Sequence, residues 1–341
     1  MRMLRALFAK PKARAYRTKV VIYRPVSAVG IGHLLFSTAI YGALARELGA
    51  RFIVTARGTV FDDTDDGGAF FSRFLVPEIP KGLDLATGHQ AIRDALAAAQ
   101  TDEDDMVVIG RQDGRQRPAR EFGPLRNADF IDRWDEPALT PDALGQYDMI
   151  YADSVVPEIG LTRLLSDIPP LFRPHPRIVA LAKATVPEED YVAVHLRHGN
   201  GEHLHGRTEG SDPAFTAYLE KVADTARAAA EAAGVRHVVC LSDNHDTAQR
   251  LAELTGGRAL SPDDLPTQDF RAFLRDSGSS DEQEARLTRI LVDITILARA
   301  RRIVGGHSLF CHAAALWGDL DRLTLVSPDG TTATFGELPR P

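Results

Sequence analysis

Short runs of β-branched and aromatic residues recur along this chain, each followed by a turn and then a longer stretch of helical periodicity. KVVIYRP (19–25) leads through a glycine-containing turn into a helical pattern over 33–48, which Gly49 closes, and RFIVTA (51–56) follows. A strand, a helix and a second strand within about 40 residues form a βαβ unit, the connection a parallel sheet requires. MVVIG (106–110) and DMIYAD (148–153) are further strand candidates. The second half repeats the alternation with fewer interruptions. YVAVHLRHG (191–199) is a strand running into a loop, 213–233 an alanine-rich helix, VRHVVCLSD (235–243) a strand and 247–254 a helix. A short strand at 258–260, a helix at 282–301, the strand RIVGG (302–306), a helix at 309–317 and the strand RLTLVS (322–327) complete the series. This order predicts doubly wound parallel sheets with ligands bound beyond the strand C-termini.

Polar and breaker-rich pieces divide the chain. DDTDDGG (62–68) and TDEDD (101–105) are acidic loops, and 111–126 is a basic, arginine-rich loop. IPPLFRPHP (168–176) is the strongest breaker cluster, and it predicts domains at 1–175 and 176–341. A chain of 341 residues with 44% hydrophobic content has enough apolar material for two cores.

Charge narrows the function. Forty Lys and Arg against 47 Asp and Glu leave a net charge of −7, which makes nucleic acid an improbable partner. Cys240 and Cys311 lie in apolar surroundings and read as buried thiols of a reduced, cytoplasmic protein without a disulfide framework. No run approaches the roughly 20 apolar residues of a membrane span. The basic N-terminus, MRMLRALFAKPKARAYRTK, lacks a signal-peptide core. It reads as a solvated terminus, with weak peripheral contact to an anionic membrane as the alternative.

Four segments carry candidate chemistry. In SAVGIGHLLFS, Gly30, Gly32 and His33 stand between strand and helix, where bare backbone and a helix start can approach an anion or a sugar, or where a tight turn simply needs glycine. The third glycine of a dinucleotide fingerprint and a ribose-binding acid are both missing, which argues against NAD. In VAVHLRHGNGEHLHGR (192–207), the strand carries His195 and Arg197 with the same facing to its carboxyl end. An arginine fork there suits a phosphate or pyrophosphate, with His198 and Asn200 in the loop beyond, and Glu202 is available as a general base. His195, His198, His203 and His205 raise the question of a metal, but they straddle a strand end and a loop without a known ligand spacing.

In VVCLSDNHD (238–246), Ser242, Asp243 and Asn244 end a strand, where an acid can accept hydrogen bonds from a base or ribose and Asp243 or Asn244 can cap the next helix. In ILVDITIL (290–297), Asp293 lies in an apolar helical run and calls for a cation, for which a strand-end arginine is the natural partner. Gly305, Gly306, His307 and Ser308 then form a strand–loop–helix turn whose amides and hydroxyl can hold phosphate oxygens, the plainer role of Ser308 being an N-cap. The acidic runs DDTDD and TDEDD look like the metal-binding Asp-x-Asp of some sugar transferases, but they read as solvated loops.

HLRHGNGE (195–202), LSDN (241–244) and VDITILARARRIVGGHS (292–308), in that order, resemble the three peptide motifs of the α1,6-fucosyltransferase superfamily, and GIGHLLFSTAIYGALAREL (30–48) resembles its glycine-led first helix. The resemblance implies a GT-B-like α/β fold of two Rossmann-type doubly wound domains facing a cleft. It implies a hexosyltransferase that moves fucose from GDP-fucose to a glycan acceptor with inversion, without cofactor or obligatory metal. Carried over, His195 and Arg197 face the donor pyrophosphate, Asp243 lies near the guanosine, and Asp293 supports Arg197 or the guanine site. Ser308 with Gly305 and Gly306 holds phosphate, and Glu202 is the nominated base. Two positions depart from the pattern: Leu309 replaces the second serine of a pair, and Asn244 stands where some members carry Asp. Two other classes compete. Arg197-His198-Gly199 also spells the RHG of histidine phosphatases, with His198 as nucleophile and His307 completing the pocket. A non-catalytic nucleotide-sugar-binding module would keep the fold and lose the base.

Overall fold

The computed structural model describes residues 16–25, 29–62, 64–98, 105–110, 128–132, 135, 138–153, 170–186, 189–197, 213–260, 279–306 and 308–335. The first half runs β1 (Val20–Tyr23), α1 (Ile31–Leu48), β2 (Arg51–Val54), α2 (Ala69–Phe74), β3 (Leu75–Pro77), β4 (Leu85–Thr87), α3 (His89–Ala98), β5 (Met106–Gly110), β6 (Ala128–Asp132), α4 (Pro141–Leu144) and β7 (Met149–Ala152). There follow β8 (Phe172–Pro174), α5 (Pro176–Thr185), β9 (Tyr191–His195), α6 (Pro213–Ala233), β10 (His237–Leu241), α7 (His245–Thr255) and β11 (Arg258–Ala259). The chain closes with α8 (Ser280–Arg299), β12 (Arg302–Gly306), α9 (Leu309–Trp317), β13 (Leu323–Val326) and β14 (Thr332–Ala333).

These strands build two six-stranded sheets, ordered β4-β2-β1-β7-β5-β6 and β11-β10-β9-β12-β13-β14. Every pairing in the first is parallel, and in the second only β13 with β14 is antiparallel. Counted by occurrence, the second sheet has the 3-2-1-4-5-6 order of a Rossmann fold, with its switch point between β9 and β12. The first sheet switches direction between β1 and β7. A separate antiparallel pair joins β3 to β8, so the breaker cluster that sequence reads as a boundary supplies a strand.

The layers follow from patterning. Strands such as β9 and β1 are apolar on both faces, as a sheet covered on both sides demands. In β9, Val192 and Val194 pack under α6 and α7, while Tyr191 and Ala193 join the opposite core. Ile22 of β1 faces the α3 side, and Val21 and Tyr23 face α1. The central core combines α1, α8 and α9 with the inner faces of both sheets. Helix α1 therefore lacks an exposed polar face over most of its length, the pattern of a helix enclosed on all sides. Gly49 ends it at φ 67°, the left-handed conformation expected of that residue.

The two halves touch where α1 meets α9. Gly32, in the first turn of α1, lies so close to the start of α9 that a Cβ there would fall 2.5 Å from the Phe310 amide nitrogen and 2.6 Å from the Leu309 carbonyl carbon. Further ties are the Gln283 side chain donating to the Val60 carbonyl at 3.1 Å and the Arg173 guanidinium donating to the Trp317 carbonyl. In an ordinary helix, Gly→Ala gains about 0.5–1 kcal/mol. At Gly32 the overlap, costing roughly 1–3 kcal/mol, reverses that sign. Gly32→Ala is accordingly expected to lower the urea midpoint, and a variant at least as stable as the parent would show that the two helix starts do not abut.

Candidate functional site

The second sheet's switch point gathers the residues singled out in sequence. His195 is the last residue of β9, 5% exposed, with its Cα beside Gly305 of β12. Phe310 stacks on its imidazole, ring centroids 4.4 Å apart and planes at 21°. Ser308 caps α9, its hydroxyl accepting from the Phe310 amide at 3.2 Å. Gly306 lies against Tyr218, whose hydroxyl a Cβ at 306 would meet at 2.6 Å. The β12–α9 turn thus brings bare backbone and a helix start to the strand end that carries His195.

Arg197, two residues past His195, pairs with Asp243 beyond β10 at 3.8 Å; their side chains are 24% and 15% exposed. Ser242 locks this exit in place by donating to the Leu196 carbonyl at 2.7 Å and accepting from the Asn244 amide at 3.1 Å. Asn244 is the N-cap of α7, accepting from the Thr247 amide at 2.8 Å. The sequence left the cap open between Asp243 and Asn244; the structure gives the cap to Asn244 and Asp243 to the arginine.

Asp293 corrects one expectation. Its cation is Arg289, one turn earlier on α8 at 3.2 Å, an ion pair short of hydrogen-bond geometry, and not the strand-end arginine. An i, i+4 partner on the same helix was available in sequence and is the nearer solution. Arg289 in turn donates to the Leu260 carbonyl just beyond β11. Burial pushes the Asp293 carboxyl up to about 7, and the charge of Arg289 pulls it part of the way back.

The acidic run DDTDD also differs from its reading as a solvated loop. Asp62 is 4% exposed and holds the start of α2, accepting from the Phe70 amide at 2.7 Å and the Thr64 amide at 2.9 Å. Asp66 accepts from the Gln90 amide at 3.0 Å at the start of α3. Both carboxylates serve backbone N–H groups that a helix start leaves without intrahelical partners. Of TDEDD, Asp105 pairs with Arg17 at 3.3 Å, and its other residues lie outside the described ones.

The first sheet contributes Gly30, the N-cap of α1 with no side-chain cap, Gly32 against α9, and a half-buried His33 in the first turn. Sequence reading missed a basic group at the same strand ends. Arg24 follows β1, Arg57 follows β2, and His89 opens α3 after β4. His89 is 3% exposed, and burial together with Arg57, Arg93 and Arg24 lowers its imidazole to about 4. The signal was available: Arg24 and Arg57 each stand just past an apolar strand run. Phe310 was missed for want of any local signal, since only the fold brings it to His195. His198, Asn200, Glu202, His203, His205 and His307 lie outside the described residues.

Two Rossmann-type sheets whose switch-point helices, α1 and α9, meet at the strand C-terminal ends make this the GT-B fold of the fucosyltransferases. Solved structures of NodZ α1,6-fucosyltransferase share it. The one co-crystallised with GDP superposes with a TM-score of 0.54 at 16% identity, covering 93% of this chain and 97% of that one. The selenomethionine form from Bradyrhizobium gives 0.52 at 17%, covering 94% and 99%. The one soaked with GDP-fucose gives 0.51 at 15%, covering 94% and 100%. At these identities the likeness is one of fold. No protein-family model matches the chain, and no curated protein matches it in sequence.

Asp293 yields a test through pH. Its folded value near 7 stands above an ordinary value of 3.8. Between these limits the folded chain holds a proton that the unfolded chain has released, so this group lowers stability as pH rises through the window. Asp293→Asn is expected to flatten the stability–pH curve between about pH 4 and about pH 7 relative to the parent, measured by urea unfolding. Parallel curves would mean that Asp293 is ionised throughout.

Proposed function

We propose that this protein is a glycosyltransferase that transfers fucose from GDP-fucose to a glycan acceptor with inversion. The observation that carries the reading is the convergence at the β9–β12 switch point. His195 at the end of β9 meets Gly305 of β12 and Phe310 of α9, Arg197 follows two residues on, and Gly32 of α1 packs against that same start of α9. Two helix starts and a guanidinium suit a diphosphate, because amide N–H groups and the helix dipole both favour negative charge there. The NodZ structures of the same fold were obtained with GDP and with GDP-fucose, which supports the choice of nucleotide.

In this reading the chain divides near residue 175 into an acceptor domain and a donor domain. Arg197 binds the diphosphate and stabilises the charge that grows on GDP as the C1–oxygen bond breaks. Asp243 orients Arg197 and lies on the guanosine side. Gly305, Gly306 and Ser308 offer backbone N–H groups and a hydroxyl to phosphate oxygens, and His195, His198 and Asn200 border the same group. Asp293 acts at one remove, through Arg289 and the Leu260 carbonyl. Glu202 takes the proton of the acceptor hydroxyl as that oxygen bonds to C1 from the face opposite the leaving GDP. Gly30, Gly32 and His33 contact the donor or the acceptor from the other side. Fixed cations and amides do the work for which other transferases use a divalent ion, so no cofactor is required. A reduced, cytoplasmic setting fits two free, buried thiols.

Calorimetry tests the donor: GDP is expected to bind and UDP and dTDP to bind weakly, whereas binding of UDP without GDP would overturn the guanine assignment. Transfer, or slow hydrolysis of GDP-fucose, is expected to survive EDTA; loss restored by manganese would replace this charge account with a metal. Arg197→Lys keeps the charge and loses the bidentate fork. It is expected to keep its circular dichroism and lose on the order of 10- to 100-fold in turnover, the value of a charge-assisted hydrogen bond. Unchanged turnover would remove Arg197 from the site. Rapid quench from a phosphate ester is expected to trap no phosphohistidine, and an adduct on His198 would favour the phosphatase.

A further inference from the structure

A buried tyrosine reaches beneath the turn that leads from β12 into α9. Tyr218 stands on α6, 1% exposed, and its hydroxyl donates to the Val326 carbonyl at 2.8 Å. Val326 ends β13 and is paired in register with Gly306, the last residue of β12. A Cβ on Gly306 would stand 2.6 Å from the same hydroxyl and 2.9 Å from Leu196, just past β9. Leu196 is itself held by Ser242, which donates to its carbonyl at 2.7 Å. A side chain at 306 would therefore displace the tyrosine or the leucine. Burial pushes the Tyr218 hydroxyl well above its ordinary value of 10.0, so it keeps its proton and serves as a donor.

The location gives this bond a second consequence. The paired ladder of β12 and β13 ends at Gly306 and Val326, on the side where Ser308 opens α9. A strand-end carbonyl carries partial negative charge, which opposes an anion held at a neighbouring helix start. A hydroxyl donated to that carbonyl covers the charge and ties α6 to the end of the sheet.

We propose that Tyr218 is a positioning residue for the diphosphate: by holding the Val326 carbonyl beside Gly306, its hydroxyl fixes the level at which β12 turns into α9 and keeps that carbonyl from opposing the phosphate charge. The diphosphate rests on the transferase reading; the hold on the turn does not. Buried as it is, the tyrosine acts through Gly306 and Val326.

Tyr218→Phe keeps the ring and its packing and removes only the hydroxyl. The control is Ala226→Gly, which loosens the same buried face of α6 about two turns further along. In ligand-free protein, amide hydrogen exchange followed by NMR is expected to quicken in Tyr218→Phe at Gly306 and in the first turn of α9, and in Ala226→Gly along α6 instead. Calorimetry with GDP, inorganic pyrophosphate and guanosine then reads the ligand. Affinity for GDP and pyrophosphate is expected to fall about three- to tenfold in Tyr218→Phe, while affinity for guanosine stays within about twofold. Ala226→Gly is expected to leave all three within about twofold of wild type. Guanosine affinity falling in step with GDP, or a control that loses as much diphosphate affinity as Tyr218→Phe, would reduce Tyr218 to packing. Exchange at the turn left unchanged by Tyr218→Phe would overturn the proposal. Turn exchange that quickens as expected, in a protein whose wild type binds neither GDP nor pyrophosphate, would keep the hold on the turn and reject the transferase reading.

Discussion

The contact between the first turn of α1 and the first turn of α9 governs the rest of the molecule. Each helix is the crossover that leaves its sheet at the switch point, so their starts mark the ends of β1 and β12. Packing them together, with only the bare Cα of Gly32 between α1 and the Phe310 amide, turns two separate strand-end crevices toward one place. A side chain at 32 would wedge the halves apart. The shared apolar core of α1, α8 and α9 then makes the geometry stiff, because displacing either helix disturbs both sheets.

That stiffness matters for charge. A helix start favours an anion only over its first turn, and an arginine fork needs its oxygen acceptors at hydrogen-bond distance. Ser242 pins the exits of β9 and β10 to one another, Asp243 restrains Arg197, and the close approach at Gly305 holds His195 against α9. Each restraint links two elements of the second sheet and none depends on a surface ion pair, which solvent would weaken. Across the contact, the basic group of Arg24, Arg57 and Arg93 around a neutral His89 gives the first sheet's strand ends a cationic character of their own.

Sequence made the fold legible wherever an element satisfied itself locally. The runs VVIY, YVAVH and HVVCL carry apolar residues on both faces, and Gly49 announces its helix end, so these elements stand where periodicity puts them. The short strands β3, β4 and β8, three residues each, escaped because they exist through pairing and not through propensity. The starts of α1, α7 and α8 were read two residues late: α8 begins at Ser280 under a Ser279 cap with Glu282 three residues on, a capping signature present in the sequence and passed over. In the site, His195, Arg197, Ser308 and the glycines were legible because they interrupt apolar runs. The partner of Asp293 was misread because a long-range pairing was preferred to the arginine one turn away. Phe310 and Cys311 look like ordinary core in sequence; only β9 lying beside β12 makes them neighbours of a histidine.

The central claim is the proposal that a nucleoside diphosphate lies beside the paired starts of α1 and α9, at the strand end that carries His195 and Arg197. Titrating 15N-labelled protein with GDP and following the backbone amides reads that claim residue by residue. The largest shifts are expected at Ile31 and Gly32 of α1 together with Leu309 and Phe310 of α9, with Arg197 moving on the same binding curve. Shifts confined to one of the two helix starts, or concentrated elsewhere in either sheet while GDP binds, would contradict it.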